Sequence, residues 1–158
     1  MASVMMSLGQ LDAFLARKAE DLARLDLTAV LRQCSLLAKA DTLLNFQGQQ
    51  DPDGRPWAPL SPRTRRRPKD RKARKRGGSP MILVDSGVMR GSITAGAGHA
   101  ENVTPTSMEV GSAVAYARWH MSGTRRMPAR PFLGWSARLR RQCEEAVTDF
   151  LAAKLGAL

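Results

Sequence analysis

The sequence is poor in aromatic residues, cysteine and histidine, and each shortage argues against a particular kind of core or site. Aromatics make up 5% of its 158 residues and hydrophobic residues 43%, so we expect a mostly aliphatic core. The two cysteines, Cys34 and Cys143, and the two histidines, His99 and His120, do not have the spacing of a zinc finger. Two cysteines are also too few for a disulfide framework. We therefore expect no metal and no other cofactor, and two buried free thiols.

Long apolar runs and catalytic motifs are also missing. The uninterrupted apolar stretches are far shorter than the roughly 20 residues that a membrane-spanning helix needs, and no signal-peptide pattern is visible. We therefore expect a protein made in the cytoplasm, without a membrane partner. The carboxylates are scattered, and neither a Gly-x-Ser-x-Gly elbow nor a Gly-rich phosphate loop occurs. The sequence favours a protein that is not an enzyme, with a small hydrolase using His120 as an alternative.

Positive charge is concentrated in one segment. Residues 63–76 hold ten basic residues and one acid, so the segment contributes +9 to the net charge of +11, and the rest of the chain contributes +2. Such a run predicts an arm that is disordered in the free monomer. The arm could contact an acidic partner surface, bind nucleic-acid phosphates without sequence preference, or stay solvated with no specific role. Its basic residues are Arg63, Arg65, Arg66, Arg67, Lys69, Arg71, Lys72, Arg74, Lys75 and Arg76.

Hydrophobic spacing predicts helices at both ends of the chain and short strands between them. Apolar residues recur at helical spacings over 8–25, over 27–44 and again over 135–155, with an interruption near Asp26. The apolar run 81–84 predicts a buried strand, and 93–112 predicts further strands with His99 at a hairpin tip. Helices followed by strands and a closing helix predict an α+β fold with a small antiparallel sheet and long loops.

Within this single domain we distinguish four regions. They are an N-terminal helical region at 1–46, a Pro/Gly loop with the basic arm at 47–80, a β-rich core at 81–134 and a C-terminal helix at 135–158.

Three short segments, 55–61, 85–93 and 127–134, are rich in residues that fix backbone geometry or anchor packing. Trp57 stands between prolines, which predicts a loop pinned to the body by a buried ring, with a partner contact as the alternative. Arg130 predicts a forked pair to a carboxylate, within its own chain or across a subunit boundary. Phe132 and Leu133 are predicted to be core residues.

The order and spacing of these segments resemble the virion morphogenesis, or tail-completion, proteins of tailed bacteriophages, especially those of Mu-like phages. The resemblance runs from about Phe46 to Gly134. Its motifs are Gly54-Arg55-Pro56-Trp57-Ala58-Pro59-Leu60-Ser61, Ile82-Leu83-Val84-Asp85-Ser86-Gly87-Val88-Met89-Arg90-Gly91-Ser92-Ile93, Val110-Gly111-Ser112, Tyr116-Ala117-Arg118-Trp119-His120, Gly123-Thr124 and Met127-Pro128-Ala129-Arg130-Pro131-Phe132-Leu133-Gly134. The chain departs mildly from the family at Asp85-Ser86-Gly87 and at Trp119-His120-Met121.

The resemblance implies a non-enzymatic component that completes the tail or neck so that tail and filled head can join. Such a component would form a ring of identical copies, for which six and twelve are candidate numbers. Its partners would be tail-tube, terminator and head-connector proteins, with non-specific contact to DNA in the channel. It would reside in the virion neck, after assembly in the host cytoplasm. The implied assembly and loop anchors are Trp57, Tyr116, Arg130 and Phe132.

Overall fold

Two long packed helices support a β-hairpin and a set of ordered loops. The computed structural model describes residues 8–65 and 81–155. In these two ranges the elements are α1 (Leu8–Ala23), α2 (Thr28–Gly48), α3 (Pro62–Arg65), α4 (Val88–Thr94), β1 (His99–Val103), β2 (Met108–Ser112), α5 (Ala117–Ser122) and α6 (Ala137–Leu155). The predicted α+β fold is confirmed, while the boundaries of the four regions stay a prediction.

The predicted interruption between the first two helices is confirmed. The Asp26 carboxylate accepts a hydrogen bond from the Thr28 amide at 2.8 Å, which stabilises the start of α2. The Leu27 amide donates to the Pro105 carbonyl at 3.0 Å and so ties this start to the hairpin. Helix α2 ends where Gln49 takes a left-handed conformation, with φ of 54°.

Strands β1 and β2 form an antiparallel hairpin whose register runs from His99 opposite Ser112 to Val103 opposite Met108. Its tip is the turn between Thr104 and Ser107, where the Thr104 hydroxyl accepts the Ser107 amide at 2.9 Å. The prediction of His99 at the hairpin tip is therefore wrong, because His99 begins β1. Of the segment 93–112, for which strands are predicted, residues 93–96 form none, since the first two of them end α4.

The strand predicted at 81–84 is also wrong, because a side chain pairs with this segment's backbone. The side-chain Nε2 of Gln49 donates a hydrogen bond to the Ile82 carbonyl at 3.3 Å. The side-chain Oε1 of Gln49 accepts one from the Ile82 backbone amide. Leu83 then takes a positive φ of 61°, which breaks an extended conformation. The Gln49 side chain thus forms the backbone hydrogen bonds that a neighbouring strand would otherwise provide to this segment.

The buried apolar residues form two clusters with different chemistry. One holds Phe46, Trp57, Met89, Ile93, Ala117 and Phe132. The second lies between α2 and α6 and holds Cys34, Ala38, Leu139 and Cys143. The expected aliphatic character therefore describes the second cluster, whereas three aromatic rings occupy the first. Both cysteines are free and buried, as predicted, and burial beside Cys34 raises the pKa of the Cys143 thiol to about 12.

An ion pair between the buried Asp41 and the partly exposed Arg138 joins α2 to the start of α6. Asp41 is 2% exposed, and its Oδ1 atom accepts hydrogen bonds from Ser136 Oγ at 2.9 Å and Arg138 Nε at 2.8 Å. Ser136 Oγ in turn accepts the Leu139 amide at 2.9 Å. Since the serine satisfies an amide of the first helical turn, it fixes where α6 begins.

Among the helices described, none is long and apolar enough to cross a membrane.

Candidate functional site

Three aromatic rings from distant parts of the chain meet in one place, which we call the loop hub together with Arg130. Phe46 and Phe132 are fully buried and Trp57 is 5% exposed. The Phe46 ring lies 5.6 Å from Trp57, edge to face, and 5.4 Å from Phe132. Trp57 Nε1 donates to the Pro131 carbonyl at 2.7 Å. The predicted burial of Trp57 and Phe132 is confirmed, and their role in assembly stays a prediction.

Arg130 connects the two loops of the hub. Its Nε donates to the Ala58 carbonyl at 2.8 Å and its Nη2 to the Pro59 carbonyl at 3.0 Å. Its backbone amide donates to the His120 carbonyl at 2.6 Å. Both side-chain acceptors of Arg130 among the described residues are carbonyls, whereas a carboxylate partner across a subunit boundary stays a prediction. An intramolecular brace is what the structure shows, and Arg130 is 6% exposed.

Local turns place these loops against α2. The Asp51 carboxylate accepts the Arg55 amide at 2.8 Å, and the Trp57 amide returns to the Gln49 carbonyl at 2.9 Å. On the other side, Gly123 has φ of 74°, and a Cβ there would lie 2.7 Å from the Ala129 backbone nitrogen. Only glycine combines that conformation with that close approach. Gly123 therefore lets the loop fold back so that Arg130 reaches its carbonyl partners.

A half-open groove of about 690 Å³ lies beside the loop hub. Its walls come from 59–64, from 81–89 and from 116–130. Each of the three distinctive segments of the sequence contributes to it. The groove is therefore the surface on which the conspicuous part of the sequence converges, and it is our candidate functional site.

His120 lies in the wall of this groove. Its Nδ1 atom is buried and has no hydrogen-bond partner among the described residues. The ring packs edge to face with Tyr116, with 6.1 Å between the ring centres. Burial first, and then the nearby Arg130 charge, lower the pKa of His120 below its usual value. The histidine is therefore neutral at pH 7 and can donate or accept one hydrogen bond.

The groove does not show the geometry of a hydrolytic site in the part of the chain described. Nδ1 of His120 has no hydrogen-bond partner there, so the carboxylate that orients a triad histidine through this nitrogen is missing. The described residues also contain no group of three His, Cys, Asp or Glu side chains that could hold a metal ion. What the arrangement offers is a buried cation, a neutral hydrogen-bonding ring and apolar walls.

The other residues predicted to contact a partner or DNA are Tyr116 and those of the basic run. Tyr116 is 40% exposed and lines the groove. Arg63 is exposed on α3, and Arg65 ends that helix. The rest of the basic run lies outside the described residues, namely Arg66, Arg67, Lys69, Arg71, Lys72, Arg74, Lys75 and Arg76.

A second polar cluster, not predicted from the sequence, holds the hairpin on α2. We call it the hairpin clamp and define it as Ser35, Lys39, His99 and Glu101. The Glu101 carboxylate accepts hydrogen bonds from Lys39 Nζ at 2.7 Å, from Ser35 Oγ and from His99 Nε2 at 3.2 Å. These partners, Lys39 foremost, lower the pKa of Glu101 to about 2. The available signal was a serine on the apolar stripe of α2.

Comparison with known proteins supplies the family. A model of the phage virion morphogenesis family matches residues 7–152, nearly the whole chain. No curated protein and no solved structure matches the chain. Since the match spans α1, α2, the hairpin, both loops of the hub and almost all of α6, it covers the groove as well as the scaffold. The chain belongs to the phage virion morphogenesis family.

Proposed function

We propose that this protein is a structural tail-completion or neck component, not an enzyme, and that it enables phage heads and tails to join. The observation that carries the proposal is the family match over residues 7–152. The loop hub supports it, because its rings and carbonyl-braced arginine contribute shape and rigidity. A joint between two assemblies requires ordered surface loops and no chemical step.

We propose further that the protein acts as a ring of identical copies in the neck. Several large apolar side chains that are exposed on the described surface support this, because aromatic and aliphatic side chains are common at the core of protein interfaces. Leu36 is 64% exposed, Trp135 55% and Trp119 46%. The expected neighbours are tail-tube, terminator and head-connector proteins. A hexamer is the leading candidate, and a dodecamer is the other.

The experiment that tests this function uses a phage with a nonsense mutation in this gene. Lysates are imaged by negative-stain electron microscopy beside lysates complemented with the wild-type gene. DNA-filled heads beside separate tails, restored to joined particles by complementation, are the expected result. Intact, joined particles in the uncomplemented lysate would contradict the proposal.

A second candidate function, sequence-independent DNA binding, is favoured by one observation. The run 63–76 contributes +9 of the net charge of +11, and clustered cations bind DNA by releasing condensed counterions. If the run binds DNA, affinity should fall steeply between low and moderate salt and disappear when 63–76 is deleted. Retention of binding by the deletion variant would remove this candidate.

A further inference from the structure

We propose that the groove beside the loop hub binds an acidic peptide segment of a partner protein. In this proposal Arg126 and Arg130 contact a carboxylate of that segment, and His120 hydrogen bonds to it. The identity of the partner as a virion component rests on the proposed function. The binding chemistry rests on the groove alone.

Arg130 is a buried cation whose side chain hydrogen bonds to two neutral carbonyls among the described residues. The Arg130 side chain lines the groove and is 6% exposed. Its two side-chain acceptors are neutral carbonyls, and within the described ranges no carboxylate forms an ion pair with it. A buried charge normally has a partner of opposite sign, because leaving water is costly for an ion. A carboxylate entering the groove would supply the missing charge.

His120 has a hydrogen-bonding ring atom without a partner among the described residues. Nδ1 of His120 is shielded from solvent and is unsatisfied there. Buried polar atoms are nearly always hydrogen bonded, so an orphaned one calls for an explanation. His120 lines the same groove as Arg130, and the backbone hydrogen bond from the Arg130 amide to the His120 carbonyl, 2.6 Å long, fixes the two residues to each other. A polar group of the bound segment would supply the partner that His120 lacks.

The groove is also suited to a peptide. Its walls include Leu83, Val88, Met127 and Tyr116. These apolar surfaces would receive side chains on either side of the acidic residue. The lining is of mixed charge, with Asp85 in addition to Arg126 and Arg130. A nucleic-acid backbone, which carries a charge at every nucleotide, would need a longer row of cations.

Charge complementarity favours an acidic segment as the occupant. Two arginines and one aspartate line the groove, so the charge of its lining is positive. An acidic partner is attracted to the same surface. The groove would then fix which part of that partner is held.

The test uses a fluorescein-labelled peptide in which Glu and Asp alternate with Leu, and a matched peptide with Gln and Asn in their place. Binding to the full chain is measured by fluorescence anisotropy at neutral pH and moderate salt. We expect the acidic peptide to bind at least about tenfold more tightly than the amide peptide, because charge-assisted hydrogen bonds are the stronger ones.

Two adjacent arginines allow binding in the groove to be distinguished from attraction to the overall charge of the chain. Arg126 lines the groove and Arg125 does not, yet both are exposed. Arg126→Gln should weaken binding of the acidic peptide about tenfold, whereas Arg125→Gln should change it less than about twofold. Both variants remove the same charge and no buried contact, so folding is not at risk in either. His120→Phe, which keeps a ring and removes both nitrogens, should weaken binding about fivefold.

Equal losses in the Arg125 and Arg126 variants would overturn the proposal, because binding would then follow net charge or the basic run. Equal binding of the two peptides would overturn it too. Tighter binding of a DNA oligonucleotide that is sensitive to Arg126→Gln would assign the groove to nucleic acid instead. None of these results would alter the outcome of the nonsense-mutant lysates, so the two proposals can fail separately.

Discussion

The loop hub and the hairpin clamp both join distant parts of the chain, and they do so with opposite chemistry. The hub buries three aromatic rings and directs a guanidinium at two backbone carbonyls. The clamp gathers a lysine, a histidine and a serine around Glu101, whose side chain is 30% exposed. The hub therefore depends on shape and dry packing, whereas the clamp depends on charge and should respond to salt and acid.

A surface that must stay rigid at different pH values and salt concentrations is better supported by the hub than by the clamp. Burial of aromatic rings is independent of pH and is not screened by ions. A partly exposed ion pair contributes little and is weakened by salt. The groove that we assign to partner binding borders the hub and not the clamp.

The largest effect should come from emptying the hub. Phe132→Ala removes a fully buried ring that packs on Phe46, so the free energy of unfolding should fall by about 3–5 kcal/mol. The measurement is urea denaturation followed by circular dichroism. Trp119→Ala is the control, because Trp119 is 46% exposed and should change stability by about 0.5 kcal/mol. Similar losses in both variants would break the distinction between buried hub and exposed surface.

The next effect should come from removing the brace. Arg130→Met keeps much of the side-chain volume but leaves the Ala58 and Pro59 carbonyls without their donor. We expect a loss of about 2 kcal/mol, since each of these two part-buried hydrogen bonds from a charged group contributes about 1 kcal/mol. Arg126→Met, at an exposed position, is the matched control. A gain in stability would instead mean that desolvation of the Arg130 charge outweighs its hydrogen bonds.

A smaller effect should follow from neutralising the clamp. Glu101→Gln keeps the shape of the side chain but removes the charge that Lys39 and His99 contact. The free energy of unfolding should fall by about 1 kcal/mol at low salt and by less at high salt. The neighbouring exposed carboxylate Glu109 gives the control variant Glu109→Gln, which should be close to neutral. A loss that ignores salt would mean that the clamp acts by packing.

The smallest effect should be the pH dependence of the clamp. The pKa of Glu101 is lowered from 4.5 to about 2 in the folded chain. The folded state therefore holds this carboxylate charged where the unfolded chain takes up a proton. Its stabilising contribution is complete above about pH 4.5 and is lost as the pH falls towards 2. The free energy of unfolding of wild type and of Glu101→Gln should be measured as a function of pH. The two curves should differ above that window and converge below it, and parallel curves would exclude the clamp as the source of the pH dependence.

Local patterns in the sequence predicted the elements that depend on local physics. Helical spacing located α2 and α6, because a continuous apolar stripe fixes both the period and the buried face. The Asp26 interruption was visible for the same reason, since a side chain that pairs with a nearby amide acts within two residues. Burial of Trp57 and Phe132 followed from large rings placed in polar loops.

The errors arose where distant residues decide. Nothing near 81–84 shows that the Gln49 side chain will occupy its backbone groups and prevent a strand. For Arg130 a carboxylate within the chain or across a subunit boundary was expected, and within the described residues its loop brings it to two carbonyls that lie some seventy positions earlier in the chain. The groove was not predicted at all, because it exists only when three separate segments meet.

We propose that the loop hub shapes the surface through which heads and tails join. The most direct test complements the nonsense mutant with Trp57→Ala, with Trp57→Phe as the control that keeps an aromatic ring. Heads and tails are then counted by electron microscopy. We expect DNA-filled heads beside separate tails for Trp57→Ala and mostly joined particles for Trp57→Phe. Joining by Trp57→Ala at the wild-type level would contradict the claim.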